Sequence, residues 1–473
     1  MKDMTLQNIA SAVGGNLFCR EGQENIRINK AEVDSRRIQP GDIFIATVGE
    51  RTDGHRFIPD VFQKGAAAVI CEKLPEEPEG PCIQVKSSLK ALEDMASYYR
   101  SGLSVRVVGI TGSVGKTSTK EVVAAVLSRH YRVLKTEGNL NSNIGLPLMV
   151  LRIKEDHEVA VLEMGVNHFD EMERMARIAR PEMAVITNIG TAHIENLGSQ
   201  QGIFREKSHI FDYLPSGGKA ILNGGDPFLK EELGRAGQEG TDLGQSPCKS
   251  FIMTADTFGR DPDNTVYLRD EKSLGLSGSE FTVCSKDDIF GPPFAASIPI
   301  PGPHMVENAL CGALVGFRMG LSSEEIRQGL REIEKLPGRS HVVKGERFTL
   351  IDDCYNASPD SMGAAFELLR LAEGRRVCIL GDMFELGKDE DRLHYEVGER
   401  AELASPSLVV CIGKLSKSMA EGAGKRLGRD RVRYYETKED FLKEASELLQ
   451  EGDTCLVKAS HSMGFEKIIE ALC

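Results

Sequence analysis

The chain has 473 residues, of which 41% are apolar and 27% are charged, an ordinary balance for a globular protein. Asp and Glu outnumber Lys and Arg by 71 to 58, and this negative surface argues against nucleic acid as a partner. The eleven cysteines include no CxxC pair, and no apolar run approaches the about 18 residues of a membrane span. The N-terminal stretch also lacks the apolar segment of a signal peptide. We therefore expect a cytoplasmic protein with reduced thiols and no membrane insertion.

A length of 473 residues favours about three domains. The first part is predicted to mix short helices and strands: LQNIASAVGG is a helix closed by glycines, DIFIATVG is a strand, and FIPDVFQKGAAAVIC is a helix leading into a strand. A further helix at LKALEDMASYYRS ends at Gly102, which marks a domain boundary. The first domain is thus expected to span residues 1–103.

The central part opens with a strand at VRVVGI, a glycine-rich turn TGSVGKT and an amphipathic helix at STKEVVAAVLSRH. A turn in this place directs backbone N–H groups at an anion, as in phosphate-binding loops. Lys116 would reach the β and γ oxygens of a nucleotide, and the Thr117 hydroxyl could bind Mg²⁺. The spacing is a short GxxGKT form, and the alternative is a structural glycine turn. The motif predicts ATP or GTP binding by Thr111, Gly112, Ser113, Val114, Gly115, Lys116 and Thr117.

Later strands are predicted at EVAVLEMG, EMAVITNIG and KAILNGG, alternating with helices as in a mostly parallel sheet. Glu163 and His193 follow two of these strands, at the edge where open α/β sheets bind ligands. They could hold Mg²⁺ beside the phosphates, or they could be hydrogen-bonded residues at strand ends. The Asn-rich loop at residues 136–148 is either a loop for a polar ligand or ordinary turn chemistry. Residues 246–300 predict shorter β segments.

Lys207 lies within the stretch GIFREKSHIFDYL, residues 202–214. At 3.6 residues per turn, the apolar residues of this stretch form one stripe of a helix, and Lys207 falls in the middle of it. A buried ammonium group is costly unless it is paired, neutral or chemically altered. The alternative is a lysine whose stem packs on apolar neighbours while its ammonium reaches water.

The last part begins after a Pro/Gly linker, EKLPGRS, and predicts another α/β unit. Its strands are expected at RFTLIDD, RRVCILGD, SLVVCIGK and DTCLVKAS, each followed by a helix. The fold class is therefore α/β with three domains: residues 1–103, a central mostly parallel sheet over 104–336, and a third unit over 337–473.

Two polar strand ends mark this third unit. IDDCYNASPDSM predicts a capped helix start, with Ser358 as N-cap and Pro359 at the first helical position. Capping does not explain the crowding of Asp352, Asp353, Tyr355 and Asn356 just before it. GDMFELG, residues 381–387, is a second acidic loop after a strand.

Taken together and in order, these motifs resemble the Mur ligases, the ATP-dependent amide-forming enzymes of peptidoglycan precursor synthesis. The resemblance covers essentially the whole chain, through DSRRIQPGDIFIATVGERTDGHRFI, TGSVGKTSTKE, TEGNLNSNIGLPL, LEMGVNHFDEM, NIGTAHIENLGS, FREKSHIF, PGPHMVENAL, LPGRSHV, IDDCYNASPDSM and GDMFELG. The last two motifs point to the member that adds D-alanyl-D-alanine to UDP-MurNAc-tripeptide.

The resemblance implies a UDP-MurNAc-binding N-terminal domain, a P-loop ATPase-like central domain and a Rossmann-like C-terminal domain that closes over ATP and binds D-Ala-D-Ala. It implies a reaction in two steps, in which ATP phosphorylates the tripeptide carboxylate and the dipeptide amine then attacks the acyl phosphate. It also implies two Mg²⁺ ions, a CO₂-derived carbamate on Lys207, and a protein that acts as a monomer.

By the same resemblance, roles pass to individual residues. Lys116, His193 and Lys207 would be catalytic, and the metal ligands would be Thr117 and Glu163 for one ion and His193 and Lys207 for the other. Asn308, Arg339 and Asp353 would contact ATP. The substrate-binding residues would be Asp34, Ser35, Arg36, Gly49, Glu50, Arg51, Asn139, Asn141, Asn143, Tyr355 and Asn356.

Three alternatives remain open at this point. A sister Mur ligase that adds a single amino acid typically carries a DNPR-like motif, and the lipid II amidating branch carries a four-cysteine zinc ribbon; the sequence contains neither. A nucleotide-binding switch without ligase activity would need the phosphate loop but not Lys207 or the Asn-rich loop.

The sequence also departs from the family pattern at Ser358, where Asn is common, and at Ala459-Ser460-His461, where Gly-Ser-Arg is common.

Overall fold

The computed structural model describes residues 3–49, 52–236, 248–286 and 290–473. Within these ranges the chain forms three sheets of five, nine and six strands, each packed against helices. The α/β class predicted from the sequence is thereby confirmed. Among the described residues, no helix is long and apolar enough to cross a membrane.

The N-terminal sheet is small and mainly parallel. Its elements are α1 (Leu6–Ala12), β1 (Asn16–Phe18), β2 (Ala31–Glu32), β3 (Ile43–Ile45), α2 (Ile58–Gln63), β4 (Ala68–Cys71), β5 (Cys82–Gln84) and α3 (Ser88–Ser101). The strand order is β1-β5-β4-β3-β2, and only the β1–β5 pair is antiparallel. Alternate side chains of β3 enter different cores: Ile43 and Ile45 join a core shared with the central part, and Phe44 packs with α2.

The central sheet positions the phosphate loop. Its elements are β6 (Arg106–Thr111), α4 (Lys116–Leu127), β7 (Val133–Lys135), α5 (Gly145–Leu151), β8 (Val159–Glu163), α6 (Glu171–Ala179), β9 (Met183–Ile186), α7 (Ile194–Leu197), α8 (Gln200–Ser208), β10 (Lys219–Asn223), α9 (Pro227–Ala236), α10 (Cys248–Met253), β11 (Asp256–Gly259), β12 (Val266–Ser273), β13 (Ser279–Ser285), β14 (Phe294–Ile298), α11 (Pro303–Arg318) and α12 (Ser323–Arg331). The order is β14-β13-β12-β11-β10-β9-β6-β8-β7, parallel except at β12–β14. Because β6 pairs in parallel with both β8 and β9, the carboxyl ends of these three strands meet at one edge.

Two predictions of local structure in this part are wrong in detail. Cys248–Met253 is a helix rather than a β segment, and it buries Ile252 in the core. A run of this length is too short to show a clear helical or strand periodicity in the sequence. The stretch at residues 202–214 is not one continuous α-helix. The α-helix ends at Ser208 and a 3₁₀ turn, His209–Phe211, continues the buried apolar face.

The C-terminal sheet is parallel apart from one edge strand. Its elements are β15 (His341–Lys344), β16 (Thr349–Asp352), α13 (Pro359–Arg370), β17 (Arg376–Gly381), α14 (Glu390–Arg400), β18 (Leu408–Ile412), α15 (Ser416–Leu427), β19 (Val432–Tyr435), α16 (Lys438–Leu448), β20 (Thr454–Lys458) and α17 (Glu466–Leu472). The order is β15-β16-β20-β17-β18-β19, with β15 antiparallel to β16. Separate apolar cores cover its two faces, as expected for a doubly covered parallel sheet.

Candidate active site

A cavity of about 640 Å³ lies between the central and C-terminal sheets. It opens at the carboxyl edge formed by β6, β8 and β9, and the loop after β16 closes its opposite wall. The cavity brings together most of the site residues predicted from the sequence. Those that line it are Ser113, Val114, Gly115, Lys116, Thr117, Asn139, Asn141, Glu163, His193, Asn308, Arg339, Asp353, Tyr355 and Asn356.

The glycine-rich turn adopts the backbone conformation that its sequence predicts. Gly112 has a φ of 150° and Gly115 a φ of 83°, and a Cβ on Gly112 would lie 1.9 Å from the Thr187 hydroxyl. Only glycine therefore fits at residue 112. Asn188 fixes the loop from the neighbouring strand end, because its Oδ1 accepts from the N–H groups of Ser113 and Val114 at 3.0 and 2.8 Å.

Lys116 is folded back onto this loop. Its Nζ donates to the carbonyl oxygen of Gly112 at 2.8 Å. Burial lowers the pKa of the Lys116 ammonium, and the Glu163 carboxylate acts in the opposite direction. An anion bound in the loop would offer this ammonium a charged partner in place of a neutral carbonyl.

Thr117 and Glu163 form a buried pair at the sheet edge. The Thr117 hydroxyl donates to Oε2 of Glu163 at 2.9 Å, and Asn141 Nδ2 donates to Oε1 at 2.7 Å. Hydroxyl and carboxylate oxygens are ligands that Mg²⁺ accepts. Among the residues that the structure describes, no three His, Cys, Asp or Glu side chains form a metal-binding group. A Mg²⁺ ion here would therefore depend on one or two side chains together with nucleotide phosphates, which is its usual mode.

His193 stands at the start of α7 with a φ of 62°. Its Nδ1 lies 3.4 Å from Oε2 of Glu385, which belongs to the GDMFELG loop of the C-terminal part. Burial, followed by the charges of Lys116 and Lys207, lowers the pKa of His193 to about 4. The imidazole is thus neutral at pH 7 and has a lone pair available for a metal ion.

Lys207 is fully buried, and among the described residues its Nζ has no hydrogen-bond partner. Burial holds the pKa of Lys207 well below its usual value, Lys116 lowers it further, and Glu206 opposes this. The adjacent Glu206 is already engaged, since its carboxylate accepts from the N–H groups of Asp170 and Met172 at 3.0 and 2.7 Å. The alternative of an ammonium that reaches water is therefore wrong. Lys207 itself is not among the residues that line the cavity.

The C-terminal wall contains an ion pair between the buried Lys458 and the partly buried Asp353. Lys458 Nζ lies 2.6 Å from Oδ2 of Asp353, and Oδ1 of the same carboxylate accepts from the N–H of Ser340 at 2.9 Å. The Arg339 guanidinium stacks over the Tyr355 ring at 3.9 Å from the centroid. Lys458 was not among the residues predicted from the sequence, although its place at the end of a predicted strand was a usable signal.

The predicted helix cap at Ser358 is confirmed, with Pro359 in the first turn of α13. The following residue, Asp360, reaches the central part of the chain. Its Oδ2 accepts from both the N–H and the hydroxyl of Thr191, each at 3.3 Å. Together with the contact between His193 and Glu385, this joins the C-terminal part to the loop after β9 at two points.

Several predicted residues do not line the cavity. Asn143 donates to Glu171 at 2.8 Å instead, and Thr111 and Gly112 lie beneath the loop surface. The proposed UDP-pocket residues lie on the N-terminal part, where Arg36 holds the pKa of Asp34 to about 2. Ser35 and Gly49 are placed there as well, whereas Glu50 and Arg51 lie outside the described residues. Asn308 lines the cavity, but its Oδ1 already accepts from the Thr119 hydroxyl at 2.9 Å.

Comparison with protein-family models finds matches between residues 27 and 461 of the chain. Three family models match consecutive segments: "Mur ligase family, catalytic domain" over residues 27–100, "Mur ligase middle domain" over 110–316, and "Mur ligase, glutamate ligase domain" over 338–461. The chain belongs to the Mur ligase family. The resemblance stated from the motifs is thereby confirmed.

Two relatives align with nearly the full length of this Mur ligase. UDP-N-acetylmuramoyl-tripeptide–D-alanyl-D-alanine ligase of Bacillus subtilis (strain 168) is 37% identical, with 99% of this chain and 98% of that protein aligned. The protein of the same name from Escherichia coli (strain K12) is 32% identical, with 100% and 99% aligned.

Solved structures agree with the fold. A crystal structure of MurF from Acinetobacter baumannii has a TM-score of 0.87 and 28% identity, covering 99% of this chain and 98% of that chain. MurF ligase from Thermotoga maritima in complex with ADP has a TM-score of 0.79 and 26% identity, covering 94% and 96%.

Proposed function

We propose that this Mur ligase uses ATP to join D-alanyl-D-alanine to UDP-N-acetylmuramoyl-tripeptide, which gives the UDP-MurNAc-pentapeptide of peptidoglycan synthesis. The observation that supports this most strongly is the single cavity that combines the phosphate loop, the Thr117–Glu163 pair and His193 with the Arg339–Asp353 wall. It occurs in a chain that aligns end to end with relatives of that name.

ATP would place its phosphates on the N–H groups of residues 112–116, with Lys116 turning from the Gly112 carbonyl to the γ-phosphate. Arg339 and Asp353 would contact the nucleotide from the opposite wall, and Asn308 would lie near the adenine. The ADP bound by the Thermotoga maritima relative supports a nucleotide in this fold.

Two Mg²⁺ ions fit the donor groups that are present. Thr117 and Glu163 would hold the first ion, whereas His193 and a modified Lys207 would hold the second. Bound Mg²⁺ would neutralise the phosphate and carboxylate charges that gather during phosphoryl transfer.

Lys207 fits carbamylation because its amine is buried, its pKa is lowered by that burial, and it has no hydrogen-bond partner among the described residues. The nitrogen lone pair would attack the carbon of CO₂, forming an N–C bond as the amine loses a proton. The resulting carbamate anion would supply oxygen ligands where an ammonium could not. The positive charges nearby, on Lys116 and the second ion, favour this anion.

The reaction needs two displacements. The terminal carboxylate of the tripeptide attacks the γ-phosphorus, and ADP leaves with the electrons of the bridging P–O bond. The neutral amine of D-Ala-D-Ala then attacks the acyl phosphate carbon and loses a proton, and the tetrahedral intermediate expels phosphate. The chain's own contribution is to hold both substrates in the cavity and exclude water from the acyl phosphate.

Substrate binding is divided among three domains in this proposal: residues 1–103 for UDP-MurNAc, 104–336 for ATP, and 337–473 for closure over ATP and for the dipeptide. Asp34, Ser35 and Arg36, with Gly49, Glu50 and Arg51, would contact the UDP-sugar. Asn139, Asn141 and Asn143 would face the peptide, and Tyr355 and Asn356 would face the dipeptide. We further propose that the enzyme acts as a monomer.

Mass spectrometry of the product tests this function. The purified protein, incubated with ATP, Mg²⁺, D-Ala-D-Ala and UDP-MurNAc-tripeptide ending in either lysine or diaminopimelate, should convert at least one tripeptide to the pentapeptide. Addition of a single alanine would indicate a different ligase, and an unchanged tripeptide would contradict the proposal.

A further inference from the structure

Lys120 is a buried lysine for which the proposed reaction has no use. It lies one helical turn after Thr117 on α4, and its exposed fraction is 2%. Its Nζ donates to the carbonyl oxygen of Thr136 at 2.7 Å and pairs with Glu121 at 2.9 Å. Replacing a buried ion pair by an apolar side chain is often neutral or stabilising, so stability alone does not explain this ammonium.

The Thr136 carbonyl begins the Asn-rich loop. Thr136 is itself buried, and its hydroxyl accepts from the backbone N–H of Glu163 at 2.9 Å. In the same loop, Asn141 Nδ2 donates to Oε1 of Glu163 at 2.7 Å. Thr136 and Asn141 thus hold the backbone and the carboxylate of one acidic residue, and Lys120 anchors the loop that carries both.

Helix α4 contacts both Glu163 and the loop that holds it. On α4, Thr117 donates to the Glu163 carboxylate, while Lys120 on the same helix holds Thr136. An apolar side chain at residue 120 would fill the space but could not donate to the Thr136 carbonyl. That carbonyl would lose its ammonium donor, and the start of the loop would be free to shift.

We propose that Lys120 is a positioning residue that sets the Glu163 carboxylate for Mg²⁺ through Thr136. The inference rests on the proposed function, because it takes Thr117 and Glu163 as the residues that hold the first ion. The residue acts through hydrogen bonds and touches no reacting atom. Partners of this kind typically change metal affinity by about 10–100-fold when removed.

The chain offers a matched control in Lys135. Its Nζ pairs with the other oxygen of Glu121 at 2.5 Å, and its side chain is 39% exposed. Lys120→Met and Lys135→Met therefore remove the same charge from the same carboxylate, but only the first removes the donor to Thr136. Thr136→Val tests the same chain of contacts independently. It removes the hydroxyl that accepts from the backbone N–H of Glu163 and preserves the shape of the side chain.

The proposal can be tested without turnover by a Mn²⁺ titration in the presence of ADP. Electron paramagnetic resonance measures the concentration of the free ion. We expect Lys120→Met and Thr136→Val to weaken Mn²⁺ binding by about tenfold or more, while Lys135→Met matches the wild type. ADP binding in EDTA should be equal in all four proteins, because Asn188 holds the phosphate loop independently of residue 120.

Equal Mn²⁺ affinity in Thr136→Val and Lys135→Met would overturn the inference, even if Lys120→Met failed to fold. A purely structural role would lower the melting temperature of Lys120→Met and leave its Mn²⁺ affinity unchanged, which would also overturn it. If the wild type binds ADP but no Mn²⁺, the assignment of Thr117 and Glu163 as metal ligands is wrong. The inference about Lys120 then fails as well. That result differs from a failure of ligase activity, which the product assay measures separately.

Discussion

The Thr117 hydroxyl donates a hydrogen bond of 2.9 Å to Oε2 of Glu163, joining the first turn of α4 to the end of β8. The two residues lie 46 positions apart in the chain, and the parallel pairing of β6 with β8 places them side by side. A hydroxyl and a carboxylate that already share one face need little rearrangement to bind the same cation.

Glu163→Gln should therefore impair metal use more than nucleotide binding. The amide keeps the size of the side chain and its contact with Asn141 but removes the negative charge. We expect the Mg²⁺ concentration at half-maximal activity to rise by about 10–100-fold, with ADP affinity in EDTA nearly unchanged. Steady-state Mg²⁺ titrations measure the first quantity and calorimetry the second. Glu158→Gln, near the start of the same strand, is the control and should leave both unchanged.

Lys207→Ala should abolish most activity, and a short carboxylate such as acetate should restore part of it. The loss should reach about 100-fold, the scale for removing a group that stabilises charge in a transition state. Acetate can enter the space vacated by the side chain and supply oxygen atoms in place of the carbamate. Lys207→Met fills that space and should respond much less. Equal rates for Lys207→Ala with and without acetate would argue against an anion at this position.

Removing only the aspartate of the Asp353–Lys458 pair should destabilise the fold, because the Lys458 side chain is buried. Asp353→Asn leaves the Lys458 ammonium without its charge partner, so the free energy of unfolding should fall by about 3 kcal/mol. The double variant Asp353→Asn/Lys458→Met removes the isolated charge and should regain part of that loss. Differential scanning calorimetry of the single and double variants measures this coupling. Strictly additive effects would indicate that the two side chains do not interact.

Glu325 gives a prediction about pH. Hydrogen bonds from Ser322 and His130 lower the pKa of this helix-capping carboxylate to about 2, below the usual 4.5. Its contribution to stability is therefore complete above about pH 4.5 and is lost as the pH falls from 4.5 toward 2. Glu325→Gln should lower the free energy of unfolding by about 0.5–1 kcal/mol at pH 7. The difference from the wild type should shrink at pH 3, whereas Glu76→Gln in an exposed loop should show no such trend.

Domain closure is testable in solution. The linker EKLPGRS joins the central and C-terminal parts, and an acyl phosphate requires exclusion of water. Small-angle scattering should show a smaller radius of gyration when ATP, Mg²⁺ and UDP-MurNAc-tripeptide are present. Asp360→Ala removes the contact with Thr191 and should reduce this compaction. An unchanged radius in the wild type would count against closure.

The sequence predicted those features of the site that depend on local pattern. Lys116 and Thr117 follow from a strand, turn and helix in succession, and Glu163 and His193 follow from strand ends that a parallel sheet brings to one edge. Burial of Lys207 followed from helical periodicity, although the α-helix proved shorter than expected. These inferences need only the periodicity of apolar residues in helices and strands and the parallel direction of the strands.

What the sequence did not predict depends on distant pairs. Asp360 contacts Thr191 across 169 positions, and nothing near either residue specifies the other. Asn188 supports the phosphate loop from another strand, and its sequence signal is that of an ordinary strand-end turn. Asn143 belongs to the predicted Asn-rich loop, yet tertiary packing directs it to Glu171 rather than to the cavity.

In the proposed reaction, ATP is consumed only when both substrates are joined. Phosphate release should be measured with ATP, Mg²⁺, UDP-MurNAc-tripeptide and D-Ala-D-Ala, and then with each component omitted in turn. We expect sustained release only in the complete mixture, because the acyl phosphate forms on the tripeptide and is consumed by the dipeptide. Release that continues without either substrate would instead indicate a nucleotide hydrolase and contradict the ligase assignment.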